Sequence, residues 1–208
     1  MKPSKKAGSR ATPEVPQPDE KSALLLGDIQ VDFCPGGALA VPDGDAVIPI
    51  VNDCVRFFHS QGFPIIAVRD WHPHNHCSFK EQGGPWPVHC VQMSRGAQFH
   101  PDLILPPGTS VVSKATNPAK EAYSSFEGTT LEERLRELNI KTLFVTGLAT
   151  DYCVKNTVLD ARRLNFRVVV LEDAIRGIDA APGDCERAIQ DMKAAGALFA
   201  KASDLVRA

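Results

Sequence analysis

Short apolar runs alternate along this chain with segments whose apolar residues recur every three to four positions. SALLLG at 22–27 predicts a buried strand. Residues 45–60 put Val47, Ile50, Val51, Cys54, Val55 and Phe58 on one face, which predicts a helix ended by Gly62. Pro49 is tolerated there because it falls in the first turn. Further strands are predicted at 64–68, 110–113, 142–146, 167–171 and 197–199, and further helices at 129–139, 153–164 and 183–195. In the helix over 129–139, Leu131, Leu135 and Leu138 point inward, and Thr129 with Glu132 predicts a capping box. Continuously apolar strands alternating with helices predict an α/β fold: three α/β/α layers on a six-stranded, mostly parallel sheet buried on both faces.

Two stretches break the rhythm. Residues 1–21 are polar, contain four prolines and lack periodicity, so they are expected to be a disordered tail, with a single domain over 22–208. Residues 71–108 form a long irregular segment holding both tryptophans and His72, His74, His76 and His89. Connections much above roughly 12–15 residues in a compact domain are usually functional or disordered, and this composition favours function.

Composition narrows the classes. The length of 208 residues suits one sizeable domain, and a net charge of −2 without basic clusters past the first residues argues against nucleic acid as a partner. No apolar run approaches the roughly 20 residues that span a bilayer, so no membrane partner is expected. The polar start is unlike a secretory signal, and a cytoplasmic location follows as the expectation. The six cysteines are scattered, which in a reducing compartment points to buried thiols or site residues rather than disulfides. No GxGxxG follows the first strand, which disfavours a dinucleotide-binding oxidoreductase.

In open α/β sheets the ligand crevice lies beyond the carboxyl ends of the strands. Asp28, Asp70, Lys114 and the segment 148–153 each follow such an end. Asp70 and His72, two apart in an extended segment, point to the same side; His76 and His89 follow in the same long segment. A carboxylate with two or three imidazoles suits one divalent ion, zinc first, with iron or manganese as alternatives. Cys153 stands where a strand turns into a helix, and a thiol at a helix N-terminus feels the positive end of the dipole, which lowers its pKa. With Asp28 and Lys114 it makes an acid, a cation and a nucleophile at neighbouring strand ends.

The blocks GDIQVDFCPGGALAV, VRDWHPHNHCSF, GGPWPVHC, SKATNPAKEAYSSFEGT and TGLATDYCVKNT resemble the nicotinamidase branch of the isochorismatase-like hydrolases, over nearly all of the chain from about residue 22. The resemblance implies a sheet of order 3-2-1-4-5-6. It implies hydrolysis of nicotinamide to nicotinate and ammonia through a cysteine thioester, in NAD salvage. It makes Asp28, Lys114 and Cys153 the triad, and Asp70, His72 and His89 the metal ligands with His76 a looser fourth. Phe33, Trp86, Tyr123 and Leu148 would bind substrate. The amides of Ala149 and Cys153 would form the oxyanion hole, with a cis peptide before Ala149. The metal would orient the pyridine nitrogen. Gly27 and Val31 depart from the family pattern, where a bulkier apolar residue and an asparagine are common. The small-molecule substrate is then nicotinamide, and the chain is compatible with a homo-oligomer. The alternatives are an amidase for a related small amide, of pyrazinamide or carbamoyl type, or a non-catalytic metal-binding homologue.

Overall fold

The computed structural model describes residues 15–206. Six strands form one sheet: β1 (Ser22–Gly27), β2 (Ile65–Asp70), β3 (Ser110–Lys114), β4 (Thr142–Leu148), β5 (Arg167–Arg176) and β6 (Leu198–Ala200). Their order is β3-β2-β1-β4-β5-β6. Every pairing is parallel, so all strands present their carboxyl ends to the same edge. The chain starts in the middle, winds outward through β2 and β3, then crosses to the other side through β4. The order reverses at β1 and β4, the arrangement that opens a crevice between their ends.

The pleat assigns the core. Along β1, Leu24 and Leu26 face one way, while Ala23 and Leu25 face the other. The first face packs against α1 (Ile48–Ser60), through Val51, Val55 and Phe58, and against Leu205 of the short terminal α5 (Ser203–Val206). The second is covered by α2 (Leu131–Glu137), α3 (Lys155–Arg163) and α4 (Asp184–Ala194), through Leu131, Leu135, Val158, Ala161 and Met192. Burial on both faces explains why ALLL of β1 and VVVL of β5 are apolar throughout.

Some expected boundaries shift for physical reasons. β5 runs on to Arg176, past the polar Glu172 and Asp173, because a register irregularity lets Ile175 and Arg176 pair with Gly147 and Leu148. The predicted capping box is not made. Thr129 donates through Oγ1 to the Ser125 carbonyl over 2.7 Å and accepts from the Leu131 N–H over 3.2 Å, and Thr130 occupies the cap without a side-chain hydrogen bond. Leu138 is largely exposed, while Leu131 and Leu135 are buried as expected. Residues 1–14 of the expected tail lie outside the described residues. Of the remainder, Val15 packs against the core, and Gln17 Nε2 donates to the Asp204 carbonyl over 3.2 Å. Among the described residues, no helix is long and apolar enough to cross a membrane.

Candidate active site and metal centre

Four strand ends deliver the chemistry. Asp28 follows β1 with a left-handed φ of 50°, which turns the chain out of the sheet while its N–H still donates to the Val68 carbonyl. Asp70 and Lys114 close β2 and β3 as register partners. After β4, a π-helical turn (Thr150–Val154) leads straight into α3 and carries Cys153. Gly147 makes this turn feasible: its φ is 111°, and a Cβ there would overlap the main chain of Gly27.

Lys114 is the hub. Its Nζ lies 3.3 Å from Asp28 Oδ2, 2.5 Å from Asp70 Oδ1 and 3.3 Å from Cys153 Sγ, and donates to the Ala122 carbonyl over 3.3 Å. Ligating atoms of Asp28, Asp70 and Cys153 all fall within 4.8 Å of one another. Oδ2 of Asp28 faces the Lys114 ammonium, while Oδ1 has no hydrogen-bond partner and is free to take a proton.

Burial sets the protonation of this set. It raises Asp28 to about 6, even though the Lys114 ammonium pulls the other way. Burial also opposes ionisation of Asp70, but Lys114 and His72 outweigh it and hold that carboxyl below the usual range. Burial would deprotonate Lys114, yet the carboxylates of Asp28 and Asp70 keep it charged, well above the usual lysine range. The Cys153 thiol is pushed well above its ordinary value by burial, with Lys114 opposing. The expectation of a thiol acidified by the helix dipole is thereby corrected: desolvation wins, the sulfur rests protonated, and it needs a base beside it. Asp28 is that neighbour.

Asp70, His72 and His89 form a second, contiguous group whose ligating atoms lie within 4.8 Å of one another. His72 is buried and both its ring nitrogens lack a hydrogen-bond partner. An orphaned buried imidazole is costly in a protein interior. Its Nε2 lies 3.6 Å from Asp70 Oδ2, the oxygen turned away from Lys114. His89 donates from Nδ1 to the Pro87 carbonyl over 2.8 Å, which fixes the tautomer and leaves the Nε2 lone pair available. Burial lowers His89 to about 4, so it is neutral at physiological pH. A carboxylate, an oriented neutral imidazole and an imidazole without other partners fit a divalent ion of the zinc type.

His76 does not join them. Its Nδ1 pairs with Ser78 Oγ over 2.7 Å and its Nε2 with the Lys120 carbonyl over 3.1 Å, so no lone pair is left to ligate. Its ring instead packs beside His72, centroids 4.2 Å apart.

A narrow cleft opens over both groups. Phe33, Trp86 and Tyr123 line it with Asp70, His72, His89, Ala149 and Cys153. Trp86 Nε1 donates to Tyr123 Oη over 3.0 Å, and Tyr152 meets the Trp86 ring edge-on at 5.0 Å. Leu148 is not part of the lining: its side chain is wholly buried in the core. Leu39, Glu121, Tyr152 and Ile178 line it without having been singled out from the sequence. Tyr152 had one usable signal, its place beside Cys153. The other three reach the cleft from separate loops. The Leu148–Ala149 peptide is cis. A second hollow, at the opposite end of the sheet around His59, Phe63 and Pro107, is lined by no cysteine and no carboxylate.

The isochorismatase domain model matches residues 22–204. The chain belongs to the isochorismatase family. Within that family it is 44% identical to the nicotinamidase of Escherichia coli over 203 residues, 88% of this chain and 95% of the relative. The pyrazinamidase of Pyrococcus horikoshii, solved with zinc, superposes with a TM-score of 0.84 at 50% identity, covering 87% of this chain and 99% of its own. PnC1 of L. infantum, solved with nicotinate, gives 0.82 at 36% identity, covering 90% and 96%. Of the two departures from the family pattern, Gly27 leaves little room: a Cβ there would come within 3.2 Å of the Thr146 carbonyl. Val31 keeps only a main-chain tie near Asp28, its N–H donating to the Gln98 carbonyl.

Proposed function

We propose that this protein is a nicotinamidase, hydrolysing nicotinamide to nicotinate and ammonia in NAD salvage. The observation that carries this is the meeting of Cys153, Asp28 and Lys114 beneath an aromatic cleft whose other wall is Asp70, His72 and His89. The names of its relatives agree with the reading.

Asp70, His72 and His89 would hold the ion, zinc being the choice their chemistry and the zinc-bound relative favour. Bound there, it would supply a Lewis acid for the pyridine nitrogen and so help orient the ring. Phe33, Trp86 and Tyr123 pack against that ring and exclude water. The carboxamide is thereby presented to Cys153. Asp28 takes the thiol proton, and the sulfur attacks the carbonyl carbon as the C–O double bond opens. Lys114 keeps a positive charge beside the forming thiolate and fixes the carboxylate. The amides of Ala149 and Cys153 receive the oxyanion, each such donor being worth about 3–4 kcal/mol. Asp28 passes its proton to the departing nitrogen, the C–N bond breaks, and ammonia leaves a thioester on Cys153. Water, deprotonated by Asp28, attacks the thioester and returns the thiol and nicotinate.

The test is ammonia release from nicotinamide by purified protein of measured metal content. Turnover with one equivalent of metal per chain is the expected result. Bound metal without hydrolysis of nicotinamide, pyrazinamide or a carbamoyl amide would identify a metal-binding homologue instead.

A further inference from the structure

Strand β1 leaves the sheet before its neighbour ends. Its last ladder pair with β2 is Gly27 with Val68, after which the left-handed Asp28 turns the chain away. β2 runs on to Asp70, whose β3 side is met by Lys114. The N–H and C=O of Asp70 point the other way, where no strand remains. Gln30 occupies that rung with its side chain. Its Oε1 accepts from the Asp70 N–H over 2.8 Å, and its Nε2 donates to the Asp70 carbonyl over 2.8 Å and to the Ala97 carbonyl over 3.0 Å. Gln30 is fully buried, and its main chain is anchored by a bridge to Phe99.

We infer that Gln30 is a positioning residue for the metal centre, acting through the main chain of Asp70. The inference rests on the metal reading above. Asp70 directs one oxygen to Lys114 and the other towards His72. Both contacts depend on where its Cα sits and how it is turned. A carboxamide suits this place and a carboxylate does not: two carbonyls need a donor, and one N–H needs an acceptor.

Two substitutions separate positioning from folding. Gln30→Glu keeps the size but loses the donor; Gln30→Asn keeps the amide but falls short of Asp70. Zinc affinity is measured by competition with a chromogenic chelator, and the fold by thermal unfolding of the metal-free protein. Zinc affinity is expected to fall about 10–100-fold in both, the usual cost of removing support behind a metal ligand. Ammonia release lost at low zinc then returns once zinc exceeds the weakened affinity. Folded variants that bind zinc as the parent does overturn the inference, and so does an asparagine variant that does not fold. If the parent chain binds no zinc, the metal reading itself has failed and this inference falls with it. Parent binding with unchanged variants leaves that reading standing and removes only the role of Gln30.

Discussion

Lys114 holds its ammonium 3.3 Å from an oxygen of Asp28, and both side chains are closed off from solvent. A buried ion pair is weak evidence for stability, because desolvation offsets most of the attraction. Breaking it is another matter. Lys114→Met would leave Asp28 and Asp70 facing each other without a cation, so we expect a loss of about 3–5 kcal/mol. Chemical denaturation of the metal-free protein at neutral pH measures it. A loss near zero would mean that the two carboxyl groups take up protons in the folded variant and relieve the strain.

The covalent scheme makes a sharper demand on Cys153. Cys153→Ala removes the proposed nucleophile but leaves Phe33, Trp86, Tyr123, Asp70, His72 and His89 in place. Ammonia release is expected to vanish, while nicotinamide binding, followed by calorimetry, persists. Substantial turnover by this variant would rule out a thioester.

The proposed mechanism makes Asp28 the group that sets the pH dependence. Burial lifts it from 3.8 to about 6, so the folded state holds this proton more tightly than the unfolded chain does. Its stabilising contribution is complete below about 3.8 and is lost as pH rises through about 6. Activity runs the opposite way, because only the ionised carboxylate accepts the thiol proton. We expect kcat/KM for nicotinamide to rise with pH through about 6. Asp28→Asn should lose roughly 10²- to 10⁴-fold in turnover, and gain stability relative to the parent as pH rises across the same window. A parent profile that is flat across this window would assign the base elsewhere.

Metal removal should also register in stability. His72 carries two buried ring nitrogens without partners, and a ligated ion would satisfy one of them. Zinc at about 100 to 1,000 times its dissociation constant stabilises a folded state by about 2.7–4.1 kcal/mol. A rise in melting temperature on zinc addition, absent in His72→Ala, is the expected outcome. Chelation should weaken nicotinamide binding as well; unchanged kinetics in the stripped protein would remove the ion from substrate recognition.

Much of the architecture could be read in the chain because burial on both faces writes itself as uninterrupted apolar runs. The strand ends that bear Asp28, Asp70 and Lys114 followed from those runs, and the topology brought them together. Where the reading failed, direction was the missing quantity. His76 lies four residues after His72, but the loop turns its ring towards Ser78 and Lys120. Leu148 precedes Ala149 in the active turn, yet its side chain enters the core. Thr129 and Glu132 have the spacing of a capping box, but the helix starts one residue later, after Thr130, and the Thr129 hydroxyl takes the Leu131 N–H rather than that of Glu132. Sequence spacing constrains which residues are neighbours along an element. It does not say which way an irregular segment faces. The same holds for Leu39, Glu121 and Ile178, whose places on the cleft depend on loops with no periodic signal.

Asp70 spans the two halves of the site, one oxygen towards the ammonium and the other towards the imidazole. The nucleophile's surroundings and the ion's surroundings therefore share a single negative charge. Drawing that charge towards a cation on one side thins it on the other. Filling or emptying the ligand group must alter how firmly Lys114 is held, and through Lys114 the company kept by the sulfur. Recognition of the ring and reactivity towards the amide cannot be tuned separately in this chain, and a variant selected for a different metal should be expected to need a compensating change beside Cys153.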